Sequence, residues 1–345
     1  MFGRSAKPVK VQVFGKTDLG RTRDHNEDAF LVADLTRKDA SLQPTVRQHE
    51  IADRGSLFVV ADGMGGAAAG ELASQMATET IFQHLSRTWS EDEEQTPQRF
   101  AYRLKEAVEV ANDTIHAHAK AHPEVRGMGT TTTAVGALAD RLYLTQVGDS
   151  RAYLVRGGEA HQLTKDQSLM QRLVEAGELT EEEAARSERK NIILQALGPD
   201  PKVKVDLTHQ DLRRGDILVL CSDGLSGQVK KDEIAQIVGH ATDLQAACDR
   251  LIAMANERGG PDNITVVIAR FDGDGLRTSG EEEAVGHQVY PLIDTETSTE
   301  PVPVYKGSKP PVSTRQAAES RWKIIVLLIA AALLAGAVVW AHGST

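Results

Sequence analysis

The chain has little cysteine. Two residues, Cys221 and Cys248, occur in 345, and they do not have the spacing of a metal-ligand pair. That excludes a disulfide framework and a thiolate zinc site, and it suits a reducing compartment. Aromatic residues are sparse as well, 4% against 41% apolar overall, so aliphatic side chains and alanine must fill the core. There is no excess of basic charge. Lys and Arg number 39 against 49 Asp and Glu, a net charge of −10, whereas a nucleic-acid partner requires a basic face. Met1–Lys10 lacks an apolar core, so no secretory leader is read there. A phosphate-cradling Gly-x4-Gly-Lys loop is missing. A Cys-x5-Arg loop starting at Cys221 needs arginine at 227, where the chain has Gly227. Cys221 therefore reads as a small buried hydrophobe. No internal repeat is apparent.

One long hydrophobic run is present, near the C-terminus. Ile324–Ala341 is 18 residues without charge, bracketed by Trp322 and Trp340. At about 1.5 Å per residue it spans roughly 27 Å, close to the hydrocarbon thickness of a bilayer. Arg315, Arg321 and Lys323 precede it and only His342 follows, an asymmetry that leaves the large N-terminal part in the cytoplasm. Residues 323–341 are read as a transmembrane helix in the cell inner membrane, with 342–345 as a short extracytoplasmic tail. Ala332 and Gly336 form a small-xxx-small pair on it. Residues 273–322, rich in Gly, Pro, Ser, Thr and Glu, are expected to form a flexible linker. Residues 1–8 form an N-terminal tail, and 9–272 are left as the one large domain.

Within 9–272 the periodicity predicts strands over 9–14 and 29–33, then a charged loop over 36–55. The spacing of Leu72, Met76, Ile81 and Leu85 predicts a helix over 70–89, and Leu104, Val108, Ala111 and Ile115 another over 100–118. Short β-type runs follow at 130–138, 142–147, 152–155 and 160–163, separated by hairpin-length turns. Two short charged helices, strands at 203–208 and 217–220, two more helices and a last strand at 264–271 complete the order. This is a mixed α+β layered domain and not a βαβ repeat.

The chemistry centres on Leu57–Gly66. A buried apolar run ends in Asp62-Gly63-Met64-Gly65-Gly66, so a strand delivers one carboxylate to a backbone that glycine lets approach a ligand closely. Other strand termini repeat the pattern: Glu27-Asp28, Gly148-Asp149-Ser150-Arg151, Ser222-Asp223-Gly224 and Asp262-Asn263. Burying that many like charges together costs several kcal/mol per ion unless cations sit among them. Carboxylate and carbonyl oxygens suit Mg²⁺ or Mn²⁺. A two-ion site can activate water and clamp a phosphoryl group, and an arginine adds forked hydrogen bonds to phosphate. Arg23 is the leading candidate for that arginine, with Arg21 and Arg151 as alternatives.

In this order, Arg23-x-x-Asn26-Glu27-Asp28, Asp62-Gly63-Met64-Gly65-Gly66, Gly129-Thr130-Thr131, Gly148-Asp149-Ser150-Arg151, Ser222-Asp223-Gly224 and Asp262-Asn263 resemble the motifs of the metal-dependent protein phosphatases, protein phosphatase 2C type, in their bacterial form. The resemblance spans about 9–271. It implies a four-layer α-β-β-α sandwich of two antiparallel sheets flanked by helices, and hydrolysis of phosphoserine and phosphothreonine on proteins at a dinuclear Mn²⁺ or Mg²⁺ centre. It also implies the site roles. Asp62 bridges both ions and Gly63 gives its carbonyl. Asp223 and Asp262 hold the second ion, while Glu27 and Asp28 bind directly or through water. Asp149, with Asp223, serves a third, weaker ion, and Arg23 holds the phosphate. Residues 177–189 correspond to the flap beside the cleft. Two positions depart from the bacterial pattern: Ala67 and Gln167 stand where histidines are usual, which puts proton delivery to the leaving group in question.

The expected partners are phosphoproteins made by Ser/Thr kinases and the membrane, with no nucleic acid and a monomeric catalytic domain. The rival reading is a catalytically silent, membrane-tethered phosphoprotein-binding module of the same fold. Such a module is expected to lose one of Asp62, Asp223 or Asp262, and all three are present.

Overall fold

The computed structural model describes residues 8–40, 48–278, 280 and 284–292. In chain order the elements are β1 (Val9–Asp18), β2 (Asp28–Asp34), β3 (Gln48–Ile51), β4 (Ser56–Met64), α1 (Ala67–Glu91) and α2 (Pro97–Ala121). Then come β5 (Gly129–Thr130), β6 (Thr132–Leu138), β7 (Arg141–Val147), β8 (Arg151–Arg156), β9 (Glu159–Gln162), α3 (Leu169–Glu175) and α4 (Glu181–Arg186). The last are β10 (Asp206–Asp211), β11 (Ile217–Cys221), α5 (Asp223–Ser226), α6 (Lys231–Gly239), α7 (Leu244–Glu257) and β12 (Ile264–Asp272).

One sheet runs β3-β1-β12-β11-β8-β9 and the other β10-β7-β6-β4-β2, with β5 beside the end of β4, and all these pairings are antiparallel. Three apolar layers follow. Phe58, Val60, Leu144, Leu220 and Val267 pack between the sheets. Helices α1 and α2 cover one outer face through Ile81, Leu85, Phe100 and Leu104. Helices α6 and α7 cover the other through Ile234, Val238, Leu251 and Ile252. The two antiparallel sheets flanked by helices agree with the expected layering. The central strands are buried on both faces: all five residues of β11 are buried, which is why they read as unbroken apolar runs. Helix α2 starts where Thr96 accepts from the Arg99 amide and Pro97 occupies the first turn, the ordinary logic of an N-cap.

Several boundaries differ from expectation. The 36–55 loop contains β3, four residues that extend the edge of β1. The expected strand at 203–208 lies at 206–211, because as an edge strand its Asp206-Leu207-Thr208-His209-Gln210-Asp211 sequence is half polar. Asp223 opens a one-turn helix, α5, rather than a plain Asp-Gly turn.

The stretch read as linker from 273 is tied down where it is described. Leu276 is buried between the sheets. Residues 288–290 pair antiparallel with β10: the His209 amide donates to the Gln288 carbonyl (2.9 Å) and the Tyr290 amide to the Leu207 carbonyl (3.0 Å). Tyr290 stands edge-on to Tyr143. Among the described residues no helix is long and apolar enough to cross a membrane. The run at 323–341 lies outside the described residues.

Candidate metal centre

The expected site residues meet at one end of the sandwich. Asp28 opens β2 directly opposite Asp62 near the end of β4. Glu27 precedes β2, and its main chain is fixed from two sides: its amide donates to Asn263 Oδ1 (2.8 Å) and its carbonyl accepts from the Gly63 amide (3.1 Å). Position 63 admits no side chain, since a Cβ there would lie 2.2 Å from the Gly70 carbonyl oxygen and 2.5 Å from that of Glu27. Asp149 sits in the bend between β7 and β8. Asp223 begins α5 after β11, and Asp262 stands in the turn before β12.

The Arg23 loop closes over them. Arg23 Nη2 donates to Asp262 Oδ2 at 2.7 Å, its side chain still 49% exposed. The carbonyls of Leu19 and His25 both accept from Asn263 Nδ2, so Asn263 shapes the loop that presents Arg23.

Electrostatics binds these acids into one unit. Burial pushes Asp28 up to about 7, with Asp223 and Asp262 adding repulsion, while hydrogen bonds from Thr265 and Ser222 oppose the rise. Burial raises Asp62 well above the carboxylate range, reinforced by Asp28, Asp223, Asp149 and Asp262. Asp149 rises to about 7, from burial first and from Asp223 and Asp166 next. Asp223 is raised by burial and by Asp262, and Glu27 by burial. Burial is the largest cause in every case and neighbouring carboxylates add to it, as expected for carboxylates crowded in a dry site, although Asp62 lowers Asp223 by a hydrogen bond.

Do these residues fit a metal? Among the described residues, the buried carboxylate oxygens without a hydrogen-bond partner are Asp28 Oδ1 and Asp223 Oδ1, both here. No three acid, His or Cys side chains among the described residues already form a closed ligand cluster. Orphaned anionic oxygens, raised pKa values and an oxygen-only donor set are nevertheless what a hard divalent cation would relieve. The residues fit Mn²⁺ or Mg²⁺.

The cleft beside them, about 660 Å³, is lined by Arg23, Asp149, Asp223 and Asp262 on one side and by Met170, Val174, Glu181 and Ala184 of α3 and α4 on the other. The expected flap thus forms a cleft wall. Arg151, an alternative to Arg23, also lines the cleft, but its guanidinium forks onto Asp166, with Nη2 to Oδ2 at 2.6 Å, and reaches the Tyr153 hydroxyl.

Gln167 lies behind the Asp149 bend. Its Oε1 accepts from the Gly148 amide (3.0 Å), its own amide donates to the Gly148 carbonyl (2.8 Å), and its Nε2 donates to Asp206 Oδ2 (2.9 Å). Gln167 is therefore a clamp on the turn that carries Asp149. Ser222 was not anticipated as a positioning residue either. Its hydroxyl donates to Asp28 Oδ2 (2.7 Å) and accepts from the Thr265 amide. Its partner is 194 residues away, beyond any local pattern.

At one end of the two-sheet sandwich, then, buried carboxylates gather beneath an exposed arginine, two of their oxygens without a hydrogen-bond partner. Residues 31–265 match the family model described as protein phosphatase 2C, and the chain belongs to that family. It is 36% identical over 258 residues to the serine/threonine phosphatase stp of Listeria monocytogenes, covering 74% of this chain and 94% of that one. It is similar to the solved serine/threonine phosphatase of S. agalactiae, with TM-score 0.64, 35% identity and coverage of 75% of this chain and 98% of that one. It is also similar to the catalytic domain of the serine/threonine protein phosphatase PstP in complex with two manganese ions, with TM-score 0.62, 34% identity and coverage of 76% and 99%.

Proposed function

We propose that the chain hydrolyses phosphoserine and phosphothreonine on proteins at a dinuclear Mn²⁺ or Mg²⁺ centre, and that it opposes Ser/Thr kinases near a membrane. The observation that carries the catalytic part is the group of carboxylates from separate strand ends, with Asp28, Asp62 and Asp223 held above the usual carboxylate range by burial and two buried oxygens unpaired. Asp62, with the Gly63 main chain, Asp223, Asp262, Glu27 and Asp28 would hold two ions, and Asp149 with Asp223 a third. Bound there, such ions supply an activated water at neutral pH and neutralise phosphoryl charge.

The rest is work for the chain itself. The Arg23 guanidinium binds the substrate phosphate. One arm rests on Asp262, and its remaining donors are free to fork onto phosphoryl oxygens. Asn263 and Ser222 hold the Arg23 loop and Asp28 in register, and the flap wall of the cleft limits water around the bound phosphoester. Gln167 is bonded behind the Asp149 bend, so it moves no proton in this scheme. The membrane part of the reading rests on the sequence of 323–341.

The test is phosphate release from a phosphothreonine peptide by the full chain in detergent, with Mn²⁺, with EDTA and with Asp223→Asn. Release that needs Mn²⁺ and disappears in the variant supports the reading. A folded wild-type chain that binds Mn²⁺ yet releases no phosphate would overturn it in favour of a silent phosphoprotein-binding module.

A further inference from the structure

A second cavity, about 540 Å³, lies against α3 and β10. Helix α3 separates the two spaces: Asp166 and Gln171 line both. The opposite wall is the strap formed by residues 287–292, laid along β10 by the main-chain bonds described above. The family match ends at residue 265, before this wall.

The cavity combines two features. The first is exposed aliphatic surface. Leu194 and Val289 line it at 39% and 69% exposure, and Ile192, at 42%, is two residues from Leu194. Scattered single hydrophobes need no explanation, but a cluster marks a contact site.

The second feature is a local excess of positive charge, Lys105, Lys165, Arg172 and Lys204 against Asp166, Glu175 and Asp206, in a chain of net charge −10. The lining acids are all engaged: Asp166 by Arg151, Glu175 by Lys165 at 2.7 Å, and Asp206 by Lys204 at 3.3 Å. Arg172 lines the same space and is exposed; it attracts Glu175 through space but makes no close ion pair among the described residues. Among the described residues Lys105 pairs with Glu109 alone, four positions on, in a pair that solvent screens. His287 stands on the strap side.

The strap also presents an edge. Pairing with β10 uses the Gln288 carbonyl and the Tyr290 amide, while the main chain of Val289 between them faces away from β10 by strand alternation. An extended peptide laid there has main-chain bonds to make as well as side-chain pockets.

We infer that this cavity is a docking site for an acidic, aliphatic segment of the phosphoprotein substrate, separate in sequence from the phosphorylated residue. The inference rests on the phosphatase reading for the word substrate. The adjoining cleft takes the phosphorylated residue, and α3 lies between the two bound parts of the same chain. Aliphatic side chains of the segment meet Leu194 and Val289, and its carboxylates meet Arg172 and Lys105. Affinity at a site remote from the chemistry lowers KM without changing the rate on a substrate too small to reach it.

The experiment uses the full chain in detergent with Mn²⁺ and three probes. One is p-nitrophenyl phosphate. The second is a phosphothreonine peptide with Gly, Ser and Ala flanks. The third is that peptide with a Glu-Leu-Glu-Val-Leu-Glu extension, joined through Gly-Ser spacers of about 4, 8 and 12 residues. The expected result is a KM about ten-fold lower for the extended peptide at one spacer length or more. Arg172→Glu and Val289→Asp, both exposed positions outside the metal centre, should remove that gain while leaving p-nitrophenyl phosphate hydrolysis within about two-fold. Equal KM for plain and extended peptides at every spacer overturns the inference, as does a gain that survives both variants.

Binding of the fluorescein-labelled, unphosphorylated extension, read by polarisation, separates this inference from the phosphatase reading. If no probe is hydrolysed, binding that both variants weaken still supports the docking site, and absence of binding overturns it.

Discussion

The strands of this protein carry acids at both ends, and the two ends treat them in opposite ways. On β2, Asp28 at one terminus is buried against other carboxylates and pushed up to about 7. Asp34, at the other terminus, accepts from the amides of Thr36 and Arg37. Around β11 the contrast repeats. Asp223 has an orphaned oxygen, while Asp216, just before the strand, takes two bonds from Arg156 (2.8 and 2.6 Å) and one from the Arg213 amide (2.7 Å). Both ends are buried, so burial alone does not distinguish structure from function. A structural acid is given donors by its neighbours, whereas an acid kept for a cation is left short of them.

The largest expected effect tests the site end. Asp223→Asn should lower Mn²⁺-supported phosphatase turnover by about 10³-fold, the upper range for removing one electrostatic group from an active site, and should leave the metal-free fold at least as stable. The sign follows from linkage. Native carboxylates raised above their unfolded values hold extra protons. Their stabilising contribution is complete below about 4 and is lost as pH rises through about 7. Metal-free wild-type chain should therefore melt at falling temperature as pH rises across that window, and Asp223→Asn should flatten the slope. A variant less stable than wild type in EDTA would break the contrast.

At the far end the same removal should do the reverse. Asp216→Ala leaves Arg156, whose side chain is only 8% exposed, without the carboxylate that its Nε and Nη2 fork onto. The expected cost is about 3–5 kcal/mol of stability, read from urea unfolding, with kcat unchanged wherever the chain remains folded. If activity falls while the denaturation midpoint holds, the division between the ends is misplaced.

Gln167 sharpens the comparison from behind the site. Replacing it with alanine cuts the clamp between Gly148 and Asp206. The expected result is about a ten-fold loss of kcat/KM, the lower range for removing a group that orients a ligand, with more Mn²⁺ needed for half-maximal rate. Gln167→His should leave the pH profile of turnover unshifted, because the position faces the back of the turn. A displaced pH optimum in that variant would restore a proton-transfer role to the position.

Much of this arrangement was legible in the sequence, for a physical reason. Strands buried on both faces are continuous apolar runs, so the abrupt carboxylates at Asp62 and Asp223 stood out. The clustering of Arg23, Glu27, Asp28, Asp149 and Asp262 with them is where the family resemblance implied it. What escaped notice depends on contacts between distant segments. Ser222 bonds Asp28 across 194 residues, and Asn263 holds Leu19 and His25 across even longer separations. The strap at 287–290 has a linker's composition and takes its form from β10 and Tyr143. The short strand β3, with one buried residue in four, offers too little periodicity to read.

That strand carries the smallest of the expected effects. His49, on β3, meets Ser56 Oγ at 2.8 Å, and burial lowers its pKa below the ordinary histidine value, with Arg37 adding to the fall and Asp34 opposing it. An imidazole depressed in the native state binds fewer protons than it does unfolded. Its contribution is complete above the unfolded value of about 6.5 and is lost as pH falls through the folded value. This slope is opposite in sign to that of the site carboxylates. His49→Gln keeps a hydrogen-bonding group near Ser56 and removes the titration. The difference in unfolding free energy between wild type and variant, measured from about pH 7 down to about pH 5 in EDTA, should narrow by no more than about 1 kcal/mol, the scale of one ordinary hydrogen bond. A difference constant with pH would mean that His49 is not held neutral, and that the far end carries a titrating charge much as the site end does.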